Sequence, residues 1–174
     1  MRKSLIGAAV AALGLGTFAI PALSGAAPGS PQGGTGGPVA CGKGTITWTP
    51  NNLWPPNHKL QTVTVTYVGD NDGDMATVTI TGWSDNETTG GVELNGSGQP
   101  DAAGQGPDVV PGAPGMGSDD APITTTAQVR AERSGRGTGR VYSLTVSCTE
   151  TDGDSGTATA TVTVPHDQRS SSQK

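Results

Sequence analysis

Two groups of residues in this chain have types and spacing that can do chemistry. The first is acidic. Asp70-Asn71-Asp72-Gly73-Asp74 and Asp152-Gly153-Asp154 alternate carboxylates with turn formers. Such alternation brings several oxygens near one point, which suits a hard cation such as Ca2+. The first run agrees with a helix-loop-helix calcium loop at its first, third and fifth positions, but Met75 stands where that loop needs Gly, and Thr81 where it needs a bidentate Glu. Asp-Gly and Asn-Asp pairs are also ordinary hairpin turns. Asp70, Asp72, Asp74, Asp152 and Asp154 therefore read either as calcium ligands or as turn chemistry.

The second group is mixed: Trp54, Asn57 and His58 within Leu53-Trp54-Pro55-Pro56-Asn57-His58-Lys59, then Glu87, Arg130, Arg133, Arg140, His166 and Asp167. Guanidinium forks recognise carboxylates or phosphates, and an indole offers a stacking plate, so this set could hold an anionic or sugar ligand. The competing reading is architectural. Trp54, Pro55 and Pro56 would plug one end of the fold, Asn57 and His58 would hydrogen-bond loop backbone, and Arg130 or Arg133 would pair with Glu132 or Glu87. Zinc held by His58 and His166 would need a third ligand, for which no diagnostic spacing exists.

Signatures of catalysis are missing. Gly82-Trp83-Ser84-Asp85-Asn86 lacks the closing Gly of a nucleophile elbow, and no Ser or Cys is tied by a motif to either histidine. Gly135-Arg136-Gly137-Thr138-Gly139 lies between strand patterns rather than before a helix, so it is not a phosphate-cradling loop. A net charge of −5 with no basic run argues against nucleic acid, which needs a Lys/Arg field. The expectation is a non-enzyme whose partner is an extracellular protein or glycan.

The elements that must position these residues alternate with period two. Gly44 to Trp48, Leu60 to Val68, Ala76 to Thr81, Thr125 to Glu132, Arg140 to Cys148 and Thr157 to Val164 alternate apolar side chains on one face with a mainly polar, Thr-rich face on the other. The inward rows are Val63, Val65 and Tyr67; Ala127, Val129 and Ala131; Tyr142, Leu144 and Val146; and Ala158, Ala160, Val162 and Val164. No mature segment has helical periodicity. The expected fold is all-β, an immunoglobulin-like antiparallel β-sandwich of six or seven strands with one long Gly/Pro-rich loop. Strand alternation requires a returning strand between 84 and 124, assigned to Gly91-Val92-Glu93-Leu94, with a mobile loop over 96–122. The same parity puts Cys41, Cys148 and both acidic turns at one pole, and the Trp54/His58/Arg group at the other.

The segments outside the strands indicate the compartment. Arg2 and Lys3 precede an apolar run from Leu5 to Ile20 and the small residues 22–26, the pattern of a secretory signal peptide. Residues 1–26 are expected to be removed, leaving no membrane span, with 27–40 a flexible leader, 41–167 the sandwich and 168–174 a disordered tail. Two Cys in an exported chain are most simply a disulfide. The protein is expected to be secreted and monomeric.

The set Leu53-Trp54-Pro55-Pro56-Asn57-His58-Lys59, Arg130-Ala131-Glu132-Arg133-Ser134-Gly135, Gly139-Arg140-Val141-Tyr142 and Val162-Thr163-Val164-Pro165-His166-Asp167 resembles a family of bacterial secreted Ig-like domains, distantly similar to hyalin-repeat and bacterial Ig-like modules. The resemblance covers roughly residues 41–167 and implies an Ig-like sandwich with an extracellular role, but no catalytic activity. Together these features predict a structural or interaction module at or outside the cell surface. The alternative is a small-ligand or carbohydrate-binding protein that uses the Trp54/His58/Arg-rich pole.

Overall fold

A computed structural model describes residues 33–87, 107–135 and 138–167. The alternating segments fold as strands: β1 (Gly36–Cys41), β2 (Gly44–Thr49), β3 (Leu60–Val68), β4 (Met75–Asp85), β5 (Val109–Pro111), β6 (Gly115–Ser118), β7 (Ile123–Arg130), β8 (Gly139–Glu150) and β9 (Ser155–Pro165). They form two antiparallel sheets in the orders β1-β2-β3-β7-β5 and β6-β4-β8-β9. The sheets pack face to face as a β-sandwich, and the described residues include no helix. None is therefore long and apolar enough to cross a membrane.

The period-two rows are the reason the sheets meet. Val63, Val65, Tyr67, Ala127, Val129, Tyr142, Leu144, Val146, Ala160, Val162 and Val164 are each at most 1% exposed. Alternation along a pleated strand sends every second side chain to one face, so each sheet presents one apolar surface that only the other sheet can cover. Cys41 and Cys148 join the end of β1 to β8 across the two sheets with a disulfide.

Three expectations are corrected. The described residues hold nine strands, not six or seven. The expected flexible leader over 27–40 is structured from residue 33, and Gly36–Cys41 is strand β1, paired with β2. Its glycines serve close packing: a Cβ on Gly36 would run into the Trp48 ring, and Gly37 has φ +85° with a β2 carbonyl against it. The expected mobile loop over 96–122 contains β5 and β6, which supply returning strands against β7 and β4. Val92, the expected returning segment, lies outside the described residues, as do the expected signal peptide over 1–26 and the expected tail over 168–174.

Gly156, at the start of β9, shows how tightly β1 is drawn onto the second sheet. A Cβ there would collide with the Gly42 backbone and crowd the Cys41 carbonyl carbon. Backbone cannot step aside as a flexible side chain can. Gly156→Ala is expected to destabilise the protein by about 1–3 kcal/mol, the range for overpacking. Urea denaturation measures it, and an unchanged midpoint would mean that β1 does not approach β9 so closely.

Candidate functional site

Strand β8 links both poles. Its inward row continues past the apolar residues in both directions, so the phase that buries Tyr142, Leu144, Val146 and Cys148 also buries Arg140 at one end and Glu150 at the other. Each charge must find partners where water cannot reach it.

Arg140 is 0% exposed. Its Nε donates to Glu87 Oε2 at 3.1 Å and its Nη1 to Asp108 Oδ2. A further Nη1 contact reaches the Tyr142 hydroxyl at 3.2 Å. Its Cζ lies 5.7 Å from the Tyr142 ring centroid, and that ring meets Trp83 with centroids 6.4 Å apart at 60°. Burial pushes the Tyr142 phenol well above its ordinary range, although Arg140 pulls the other way. Glu87 also accepts the Ser134 backbone N–H.

Arg130 extends the network. Its Nε donates to Asp108 Oδ1 at 3.0 Å, its Nη1 to the His58 carbonyl at 2.9 Å and its Nη2 to the Pro107 carbonyl at 3.2 Å. His58 has φ +61°, and its N–H donates to the Ala131 carbonyl. This left-handed conformation costs a non-Gly residue roughly 1–2 kcal/mol. It is held by hydrogen bonds on both sides, since Ala131 N–H donates in turn to the Lys59 carbonyl. The His58 Nδ1 lies 3.2 Å from Oε2 of the fully buried Glu132.

The remaining predicted residues are nearby. Arg133 Nε donates to the Pro165 carbonyl at 3.0 Å, His166 Nε2 lies 3.2 Å from the Gly135 carbonyl oxygen, and Asn57 Oδ1 accepts the Lys59 N–H. Asp167 is exposed. The pole thus unites Asn57, His58, Glu87, Arg130, Arg133, Arg140 and His166, but with different pairings from those expected. Arg130 takes Asp108 rather than Glu132 or Glu87; Glu87 takes Arg140, and Glu132 takes His58. The plug also differs. Leu53 is 0% exposed and hydrogen-bonded to the Thr163 carbonyl, while Trp54, Pro55 and Pro56 stay half-exposed. Leu53 sits one residue earlier in the same loop and is the smaller group, so it fits between the sheet ends.

At the opposite pole Asp70, Asp72, Asp74, Asp152 and Asp154 do come together, with two carboxylates that the turn motifs did not include, Asp119 and Glu150. Lys43 sits among them. Its Nζ bonds Asp154, lies 3.1 Å from Asp152 and reaches Asp70 and Asp72 at 3.9 and 4.0 Å. Hydrogen bonds to Asp154 and Asp152 hold its ammonium well above the ordinary lysine range. Asp119 organises the first turn by accepting the backbone N–H groups of Asn71, Asp72 and Gly73. Burial raises its pKa, but those amides outweigh it and hold the carboxyl below the usual range. Asp70 is shifted upward by burial and by the Asp72 charge, against the pull of Lys43.

Glu150, 8% exposed, accepts the Tyr67 hydroxyl at Oε1. Burial and this contact drive the Tyr67 phenol far above its ordinary range. The turn motifs gave no hint of Glu150 or Asp119. The signal available for Glu150 was the continuation of the β8 row two residues past Cys148. Neither histidine belongs to a metal-competent cluster among the described residues. No family model, curated protein or solved structure matches the chain.

Proposed function

We propose that this chain works outside the cell as a non-enzymatic β-sandwich module with a structural or interaction role. The observation that carries the reading is the inward use of the charged pole. A site for anions or sugars keeps its donors directed at solvent, whereas Arg140 bonds Glu87 and Asp108, Arg130 bonds Asp108 and the His58 and Pro107 carbonyls, and Arg133 bonds the Pro165 carbonyl. These guanidinium groups hold the loops of the sandwich end in place. The Cys41–Cys148 bond is compatible with an oxidising extracellular compartment. The resemblance to secreted Ig-like domains supports the same role, with an extracellular protein as the partner.

Trp54 is the residue on which this reading and carbohydrate binding diverge. It is half-buried, and an indole is the side chain that would stack on a sugar ring. On a glycan array the purified chain is expected to give no saturable signal. A saturable signal that disappears in Trp54→Ala, with the β-sheet circular dichroism retained, would replace the module reading with carbohydrate binding.

A further inference from the structure

We propose that the acidic pole holds a calcium ion on Asp70, Asp119 and Glu150, with Lys43 as a built-in competitor for the neighbouring carboxylates. Three observations carry the site. Oxygens of Asp70, Asp119 and Glu150 lie within 4.8 Å of one another, and a second grouping joins Glu150 to Asp152 and Asp154 over the same distance. Oxygens that share one Ca2+ at about 2.3–2.6 Å are at most about 5 Å apart, so the spacing admits a common ion.

The second observation concerns Glu150 itself. Its Oε1 takes the Tyr67 hydroxyl, but its Oε2 is buried and accepts no hydrogen bond. A buried carboxylate oxygen without a donor is costly. A cation among these three carboxylates supplies the missing partner.

The third is the charge balance. Seven carboxylates gather at this pole, Asp70, Asp72, Asp74, Asp119, Glu150, Asp152 and Asp154. Among the described residues Lys43 is the cation that pairs with them, and it lies toward Asp152 and Asp154 rather than Glu150. Asp70 receives only a 3.9 Å contact from its ammonium, and no ion pair of Lys43 reaches Asp119 or Glu150.

The donor set selects the ion. All three ligands are hard oxygens from separate segments, two loops and the end of β8, which suits the variable coordination of Ca2+ better than the strict octahedron of Mg2+. Asp119 can ligate and still organise the turn, because its Oδ1 accepts a single backbone N–H and retains a lone pair. With Lys43 in competition the affinity belongs in the range of about 10⁻⁴–10⁻³ M typical of extracellular modules.

The test uses the purified chain after treatment with EDTA. Calcium at about a hundredfold above Kd is expected to raise Tm by about 5 °C or more, with a smaller effect from Mg2+. Glu150→Gln keeps an acceptor for Tyr67 and is expected to lose the shift. Lys43→Met is expected to bind calcium about tenfold more tightly, since a positive charge beside the site is removed. A readout independent of stability is terbium luminescence: Tb3+ on Glu150 lies beside the Tyr67 ring, and its sensitised emission should fall in Tyr67→Phe. No calcium response in either the wild type or Lys43→Met overturns the site. A response unchanged in Glu150→Gln, or terbium emission indifferent to Tyr67→Phe, also overturns it by placing the ion on the outer aspartates.

Discussion

Replacing Arg140 by Met is expected to destabilise the protein by about 3–5 kcal/mol, the cost of breaking a buried ion pair from one side. Arg140 is fully buried, with Glu87 and Asp108 bonded to it and both of those residues buried in turn. Met fills much of the volume but leaves two carboxylates facing each other without the charge that separated them. A domain of this size has a net stability of about 5–15 kcal/mol, so a large part of the folded margin would be lost. Urea denaturation followed by Trp fluorescence measures the change.

The same substitution should be far milder when Glu87 is neutralised with it. Arg140→Met combined with Glu87→Gln removes the stranded Glu87 charge and leaves Asp108 paired with Arg130, and replacing a buried ion pair by uncharged groups is often close to neutral. Recovery of at least half the loss is expected. A single-variant loss below about 1 kcal/mol would show that water reaches this pole and screens the charges.

The second large effect belongs to Cys41–Cys148. The two residues are 107 positions apart. Closing a loop of about 100 residues restricts the unfolded chain by about 4.7 kcal/mol in the chain-entropy description. Cys41→Ala with Cys148→Ala is expected to lose about 2–5 kcal/mol, the observed range for native disulfides in small secreted domains. The loss should not be spread evenly. β1 ends at Cys41, and its partner in the first sheet is β2, so it is held by pairing on one side and by the disulfide at its end. Hydrogen exchange should therefore quicken most at Val39 to Cys41, with Val63 to Tyr67 in the central strand β3 much less affected. Equal acceleration in β1 and β3 would mean that the disulfide stabilises the fold as a whole and does not anchor β1 in particular.

How much of this was legible depends on whether the signal was local. The phase of Tyr142, Leu144 and Val146 follows from alternation alone, because the pleat sends every second side chain inward whatever the partner strand is. The same rule, carried two residues back from Tyr142 and four on from Val146, would have placed Arg140 and Glu150 inside. The habit of reading charge as surface hides them. Asp108 is a different case. It sits in a run of Gly and Pro with no periodicity, 32 residues before Arg140, and nothing in its neighbourhood announces a buried carboxylate. β1 was hidden in the same way, since Gly36 and Gly37 look like linker in composition and act as contact surface for Trp48 and Ile46.

What the sequence determined by itself is the all-β class, the inward rows of the strands and, through strand parity, which turns share an end of the sandwich. These depend on period two and on the number of reversals, both carried by neighbouring residues. The tertiary structure alone decided the partners: Asp108 for Arg130 and Arg140, Glu132 for His58, Lys43 for the outer aspartates, and Asp119 and Glu150 as the inner half of the acidic pole. Each of these pairs brings together residues far apart in the chain. Charge pairing over such separations is set by how the sheets stack and by what they exclude from water, and no local pattern of residue types encodes that.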